Sequence, residues 1–133
     1  VRTAALGFVA SRAGRDATRM LIGFLHDPAV QERASVALTV PVEGRVEGIL
    51  AGLENADDDV APLLTSVLAR LNRADANAAL EQAATLQNPA ARKAAATTLA
   101  AVGKRSSLDL LKTMATHDPV REVRRVAALL LAQ

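Results

Sequence analysis

Residues 88–99 read NPAARKAAATTL, and a matching stretch, DPVREVRRVAALLL, follows at residues 118–131. Each stretch opens with Asn-Pro or Asp-Pro and continues with apolar residues spaced four positions apart. That spacing draws one apolar stripe along a helix. Because the same arrangement returns after about thirty residues, the two stretches predict a fold built from repeated amphipathic helices.

The repeat extends along the chain when it is followed from one apolar anchor position. Successive anchors are 30, 31 and 32 residues apart. The anchors and the apolar residues four and eight positions after them are Val30, Ala34 and Leu38; Val60, Leu64 and Leu68; Ala91, Ala95 and Leu99; and Val123, Ala127 and Leu131. A step of 29 residues backwards finds Val1, Ala5 and Val9, so we expect the chain to open inside a fifth copy.

Each anchor is preceded by residues that favour a helix start: Asp27-Pro28, Asp57-Asp58, Asn88-Pro89 and Asp118-Pro119. An Asp or Asn side chain at the N-cap accepts a hydrogen bond from a free backbone N–H of the first turn. Proline at the next position loses nothing, because its missing N–H would have had no helical partner. We therefore predict that the first helix of each copy begins at these residues. The acidic run 57–59 is assigned to such a start, and not to a cation site, since no EF-hand spacing follows.

A second helix is predicted in each copy from a further apolar stripe. These stripes are Ala17, Leu21, Phe24 and Leu25; Val46, Ile49, Leu50 and Leu53; Ala76, Leu80, Ala83 and Ala84; and Leu108, Leu111, Met114 and Ala115. Together with the anchored helices they predict nine helices, over residues 1–11, 16–26, 28–40, 43–55, 59–72, 75–87, 89–102, 106–117 and 119–132.

The composition favours helices and excludes several functional classes. Half of the residues are apolar, but only 2 % are aromatic. Alanine, the best helix former, supplies much of the remaining apolar content. The absence of cysteine excludes disulfides and thiolate metal sites and is compatible with the cytoplasm, where we expect the protein to act. No apolar run is long enough to span a membrane. Sixteen basic and fourteen acidic residues leave a net charge of +2, which gives little support to nucleic-acid binding.

Two helices per unit, with an Asp-Pro start and the pattern Val-Arg-x-x-Ala-x-x-x-Leu, resemble HEAT repeats, and most closely the short bacterial repeats called phycobilisome-lyase-like. The matching residues are Val1-Arg2 with Ala5; Val30 with Ala34 and Leu38; Ala91-Arg92 with Ala95 and Leu99; and Val123-Arg124 with Ala127 and Leu131. The chain departs from the pattern at Gln31, where arginine is usual, and at Ala61-Pro62. Tetratricopeptide repeats are the second interpretation, but their longer period carries aromatic markers that are missing here.

The resemblance implies an all-α fold, a right-handed α-α superhelix of about four and a half helix-pair repeats. We expect residues 1–133 to form a single domain, because no linker divides the chain. We also expect this domain to be a piece of a longer solenoid, because the last helix has an apolar side without a partner helix. The last helix carries Val126, Leu129, Leu130 and Leu131. Apolar residues at an exposed solenoid end can support self-association.

By the same resemblance, the second helices line the concave face, which is the usual binding surface of such solenoids. We take the side of each second helix that is opposite its apolar stripe. The candidate partner-binding residues are Arg15, Arg19, His26, Glu47, Ala51, Asn55, Glu81, Gln82, Asp109 and Lys112. A strip of small residues, Gly48, Ala51 and Ala78, can receive a partner helix or an extended peptide.

No motif indicates catalysis or a cofactor. The chain has no nucleophile elbow, P-loop, dinucleotide-binding glycine set or zincin motif. The two histidines, His26 and His117, are separated by several repeats and are not expected to share a metal ion. A basic cluster of Arg121, Arg124 and Arg125, with Lys104 and Arg105, can contact phosphate. However, Glu122 interrupts it and no aromatic residue is available for base stacking.

The first hypothesis is therefore a non-enzymatic scaffold or adaptor without a cofactor, whose partner is another protein or a peptide. Two alternatives stay open. One is a bilin-lyase-like or other small-molecule-handling protein, because bilin lyases lend this repeat subtype its name. The other is nucleic-acid binding, which the basic cluster alone supports.

Overall fold

The structure is a computed structural model that describes residues 14–133. Within that range the chain is all-α, and its helices are α1 (Arg15–Phe24), α2 (Gln31–Leu38), α3 (Arg45–Leu53), α4 (Ala61–Leu71), α5 (Ala74–Ala83), α6 (Pro89–Val102), α7 (Arg105–His117) and α8 (Arg121–Leu131). None of these eight helices is both long and apolar enough to cross a membrane. The helix predicted over residues 1–11, with the fifth copy that it opens, lies outside the described residues.

The helices stack in two layers. The first helices of the copies, α2, α4, α6 and α8, contact one another in chain order. The second helices α1, α3 and α5 do the same, while α7 packs mainly against α6 and α8. Buried side chains from all eight helices form one continuous cluster. The fold is thus the helical solenoid that the repeat predicts.

The repeat positions form the core of this solenoid. All four anchors, Val30, Val60, Ala91 and Val123, are buried, and so is the residue four positions after each. The residue eight positions after is buried in three copies and half-buried in the last, at Leu131. Each valine or leucine buried in this way contributes about 1.5–3 kcal/mol, and alanine at the contact positions lets the helix axes approach closely. The apolar stripe read from the sequence is therefore confirmed.

The predicted helix starts are correct in only one copy. Asn88 is the N-cap of α6, and its Oδ1 accepts a hydrogen bond from the N–H of Ala90 at 3.1 Å. In the other copies the aspartate accepts from N–H groups two or three residues later. These bonds close a local turn, which competes with the first helical turn. The helices then begin at Gln31, Ala61 and Arg121, two or three residues after the predicted starts.

The apolar stripe of α7 also differs from the prediction. Leu111 and Met114 are buried as expected, but Leu108 is 44 % exposed and Ser107 is buried beside it. Within residues 14–133, the Ser107 Oγ is the only buried side-chain polar atom without a hydrogen-bond partner. Within residues 14–133, α7 packs mainly against α6 and α8, and Leu108 remains on its exposed side. A stripe is buried only where a neighbouring helix covers it.

Candidate partner-binding groove

Two glycines bring the starts of α1 and α3 together. Gly14 and Gly44 have φ angles of +105° and +81°, which residues with a side chain rarely adopt. The N–H of Gly14 donates to the carbonyl oxygen of Glu43 at 2.7 Å. A Cβ on Gly44 would lie only 3.0 Å from the Cα of Gly14. Glycine at position 44 therefore serves both the backbone conformation and the close contact between the two helix starts.

Further along, α3 presents two glycines to α1. A Cβ on Gly48 would lie 2.7 Å from the Cβ and Cγ2 of Thr18. A Cβ on Gly52 would lie 2.7 Å from the Cδ1 of Ile22. Because residues four apart share one helix face, the two glycines give α3 a flat surface against which α1 packs.

A buried arginine reinforces this contact. The side chain of Arg45 is among the largest that are fully buried, with 1 % exposure. Its Nε donates to the Oγ1 of Thr18 at 3.1 Å, and its Nη1 donates to the carbonyl oxygen of Ala37 at 2.8 Å. Burial lowers the pKa of Arg45, but a guanidinium remains charged in a protein. These bonds join α3 to both α1 and α2.

A groove of about 640 Å³ lies along the contact between α1 and α3. The side formed by α1 and its following turn consists of Arg15, Asp16, Arg19, Ile22 and His26. The side formed by α3 and the segment after it consists of Gly48, Ala51, Gly52, Glu54, Asn55, Ala56 and Val60. We call this the α1–α3 groove. Its volume lies in the range of sites that hold small ligands, and it also suits a few residues of a peptide.

Half of the predicted partner-binding residues line this groove, namely Arg15, Arg19, His26, Ala51 and Asn55. The others are exposed elsewhere on the second helices: Glu47 on α3, Glu81 and Gln82 on α5, and Asp109 and Lys112 on α7. Of these, Glu81 accepts a hydrogen bond at Oε1 from the Oγ of Ser106 at 3.3 Å. The structure therefore brings the predicted residues of two second helices together and leaves the other five outside the groove.

The predicted strip of small residues is not an open surface. Gly48 is buried against Thr18, so it lies at the base of the α1–α3 groove. Ala51 is half-buried at the groove surface, and Ala78 is exposed on α5. The prediction failed at Gly48 because a glycine leaves space that a neighbouring helix fills.

The groove is also lined by residues that were not predicted to bind a partner, and four of them form its floor: Ile22, Gly52, Ala56 and Val60. They were missed because only the side opposite each apolar stripe was considered. The Gly48-x-x-x-Gly52 spacing is the signal that indicates such a floor, since two glycines one turn apart permit a close helix approach.

Two further kinds of site were considered from the sequence, a metal site and a phosphate-binding cluster. Within residues 14–133, no three His, Asp or Glu side chains are grouped so that they could hold a metal ion. Asp57, at the start of the acidic run, accepts hydrogen bonds from the N–H groups of Asp59 and Val60 in the turn that precedes α4. In the basic cluster, the Nη1 of Arg124 donates to the carbonyl oxygen of Asp118 at 2.6 Å. That arginine is therefore engaged within the protein.

A family model described as HEAT repeats matches residues 46–132, which is more than half of the chain. The chain belongs to the HEAT-repeat family. HEAT repeats generally act as protein-interaction scaffolds, and the family is typically non-enzymatic. The match begins within α3, so α1 and its side of the groove precede it. The comparisons with curated proteins and with solved structures gave no match.

Side-chain donors at the position after three of the four anchors brace the HEAT repeats. Gln31, Arg92 and Arg124 each donate to the carbonyl oxygen six residues earlier, at 3.0, 2.9 and 2.6 Å. Gln31 thus keeps a bond that arginine makes in the other two copies. Arg92 also reaches the following repeat, because its Nε and Nη2 donate to the two carboxylate oxygens of Asp118 at 2.8 and 3.1 Å. Both side chains are nearly fully buried, and such a bidentate pair is a strong, directional link.

The copy that has Ala61 after its anchor has no donor at this position, and the next copy supplies one. The Nδ2 of Asn88 donates to the carbonyl oxygens of Leu53 and Ala56 at 2.8 and 2.7 Å. These carbonyls lie at the end of α3, where Ala56 lines the α1–α3 groove. Asn88 therefore fixes one end of the groove while its Oδ1 caps α6.

Proposed function

We propose that this HEAT-repeat chain is a scaffold or adaptor module that acts in the cytoplasm and binds another protein or a peptide. The partner binds along the surface of α1, α3, α5 and α7, which we call the second-helix face. The α1–α3 groove carries this proposal, because side chains from two successive repeats converge there. Solenoids recognise partners through surfaces that neighbouring repeats build together.

The residues of the groove are suited to a protein partner. Arg15 and Arg19 are exposed, and they flank the half-buried apolar side chains of Ile22 and Ala51. Arginine is enriched at protein interfaces, where its planar guanidinium pairs with carboxylates and its stem covers apolar surface. An apolar centre with charged residues at its edge is the usual arrangement of such interfaces.

A small-molecule or nucleic-acid ligand is less well supported. The charged groups of the groove are exposed, whereas small-molecule and catalytic sites usually place a few polar groups in a desolvated pocket. Asp16 and Glu54 also line the groove, which therefore lacks the continuous positive surface that a phosphate backbone requires. The proposed function requires no cofactor and no metal ion.

Site-specific photo-cross-linking tests the proposed face. A photoreactive phenylalanine analogue is placed at Ala51 or Gln82 on the second helices, and at Ser66 or Thr97 as exposed control positions on the first helices. The captured partner is then identified and purified, and the complex is reconstituted. We expect cross-links to this partner from the second-helix face alone. Equal cross-linking from both helix layers would show that the partner does not bind specifically to the second-helix face.

A charge-reversal variant gives a second measurement with the purified partner. Arg19→Glu, Glu47→Arg and Lys112→Glu combined should abolish partner binding. The control combines Arg70→Glu, Glu32→Arg and Arg125→Glu, which are exposed on the first helices and change the net charge by the same amount. If the first variant bound the partner as well as the wild type, the second-helix face would not be the binding surface.

A further inference from the structure

We propose that the α1–α3 groove binds an extended acidic segment of the partner, in which two carboxylates are separated by one residue. The inference rests on the proposed function, because it names the chemistry of the bound partner. Arg15 and Arg19 are one helical turn apart, which places them about 6 Å apart along α1. In an extended peptide, side chains two positions apart point to the same side and are separated by about 6.6 Å. An acid-x-acid segment therefore matches the spacing of the two arginines.

The charges of the groove are available to a ligand. Of the residues that line it, Arg15, Asp16, Arg19 and Glu54 make no ion pair within residues 14–133. Each of the two arginines can form a bidentate, charge-assisted pair with a carboxylate. Because Ile22 and Ala51 beside them exclude water when a peptide covers them, such pairs are stronger than on open surface.

The opposite side of the groove limits the residue between the two carboxylates. In an extended segment that residue points away from the arginines, towards Gly48 of α3, which lies opposite Thr18. A Cβ at Gly48 would already meet Thr18 at 2.7 Å, so the space here is shallow. The intervening residue is therefore small, such as alanine, serine or glycine.

The register of the two helices also predicts a basic residue in the partner. Thr18 meets Gly48 and Ile22 meets Gly52, so α1 and α3 run in the same direction with an offset of 30 residues. Glu54 then lies opposite the end of α1, beyond Arg19. A basic side chain directly after the second carboxylate points to the α3 side and reaches Glu54. The full recognition pattern is acid-small-acid-basic.

NMR titration of the full 133-residue chain tests this pattern, since chemical shifts detect weak binding and locate it. The probe is the hexapeptide Gly-Asp-Ala-Glu-Lys-Gly, and the control is Gly-Asp-Glu-Ala-Lys-Gly, which has the same composition but adjacent carboxylates. We expect amide shifts confined to α1 and α3 and binding of the probe that is at least about threefold tighter than that of the control. Equal binding of the two peptides, shifts centred on other helices, or no shifts at millimolar peptide would overturn the proposal.

Matched variants tie the binding to the two arginines. Arg15→Glu with Arg19→Glu should weaken binding of the probe about tenfold, because two ion pairs are replaced by repulsion. Arg70→Glu with Arg125→Glu changes the net charge equally on the first helices and should leave binding within about twofold. Equal loss in both variants would overturn the proposal, since it would indicate only long-range attraction. Cross-linking of the partner from Gln82 does not depend on this result, so the proposed function and the peptide chemistry can fail separately.

Discussion

Alanine substitution of three glycines would test how closely α1 and α3 are packed. Gly23, Gly48 and Gly52 all lie inside these two helices, and alanine favours a helix interior over glycine by about 1 kcal/mol. The substitutions differ in what the new Cβ would meet. At Gly23 the new Cβ would meet no atom within 4 Å. At Gly52 it would meet the terminal carbon of the flexible Ile22 side chain, and at Gly48 it would meet the Cβ and Cγ2 of Thr18.

Gly48→Ala should destabilise the protein in spite of its better helix propensity. The new Cβ would lie 2.7 Å from two carbon atoms of Thr18, which is fully buried. Thr18 cannot turn away freely, because its Oγ1 donates to the carbonyl oxygen of Gly14 and accepts from the Nε of Arg45. Overpacking of this kind costs typically about 1–3 kcal/mol, and disturbing the bond to buried Arg45 adds to it. We expect a net loss of about 1–3 kcal/mol in the free energy of unfolding.

The other two substitutions provide the matched comparison. Gly52→Ala would meet the terminal Cδ1 of Ile22, which is half-buried and can rotate, so the clash and the propensity gain nearly cancel. Gly23→Ala should stabilise the protein by about 0.5 kcal/mol, because it lies in the last turn of α1 and meets no atom. The expected order of stability is therefore Gly23→Ala, Gly52→Ala, Gly48→Ala.

Urea denaturation followed by circular dichroism at 222 nm measures this order, since the chain has no tryptophan or tyrosine to report unfolding. Equal m-values would show that the midpoints compare stability alone. If Gly48→Ala were as stable as the wild type, the close contact with Thr18 would not limit the packing of α1 on α3. If Gly23→Ala lost as much stability as Gly48→Ala, the effect would not arise from this contact.

Two further predictions concern the links between repeats. Asn88→Asp keeps the oxygen that caps α6 but removes the N–H groups that donate to the two carbonyls at the end of α3. We expect the free energy of unfolding in the same assay to fall by about 1–3 kcal/mol. An unchanged midpoint would mean that water replaces these bonds. The Nζ of Lys93 lies 3.2 Å from Asp58 and 3.3 Å from Glu122. Burial acts to lower the pKa of Lys93, but its hydrogen bonds to the two carboxylates and their charges raise the pKa above its ordinary value of 10.5. The folded protein therefore holds this proton more tightly than the unfolded chain, so the stabilisation is complete below pH 10.5 and is lost as the pH rises through the raised value. Lys93→Met should lower the free energy of unfolding by about 0.5–1 kcal/mol at neutral pH in low salt, and a difference that persisted unchanged at alkaline pH and in high salt would contradict the ion-pair explanation.

Features that depend on neighbouring residues alone could be predicted from the sequence. The apolar stripe through Val30, Val60, Ala91 and Val123 was predicted correctly, because residues four apart share a helix face whatever the helix packs against. The helix starts were less accurate. An aspartate followed by proline suits both an N-cap and a short turn, and the surrounding packing selects between them.

The groove was only half predicted for a related reason. That Arg15 and Arg19 share one face of α1, and that Ala51 lies opposite the apolar stripe of α3, followed from the 3.6-residue period. That Gly48 is buried, and that Ile22 forms part of the floor, depended on where the neighbouring helix lies. No property of a single helix contains that information.

The amino-acid sequence alone determined that this protein is an all-helical chain of HEAT-like repeats with a continuous aliphatic core, because helical periodicity arises from interactions within a few residues. The tertiary structure decided which polar groups hold the repeats together. Arg45 meets Thr18, Arg92 meets Asp118, and Asn88 reaches the end of α3, each across 26 to 35 residues of sequence. Such pairings form only when stacked helices bring distant residues into contact and exclude water from them, and the α1–α3 groove exists for the same reason.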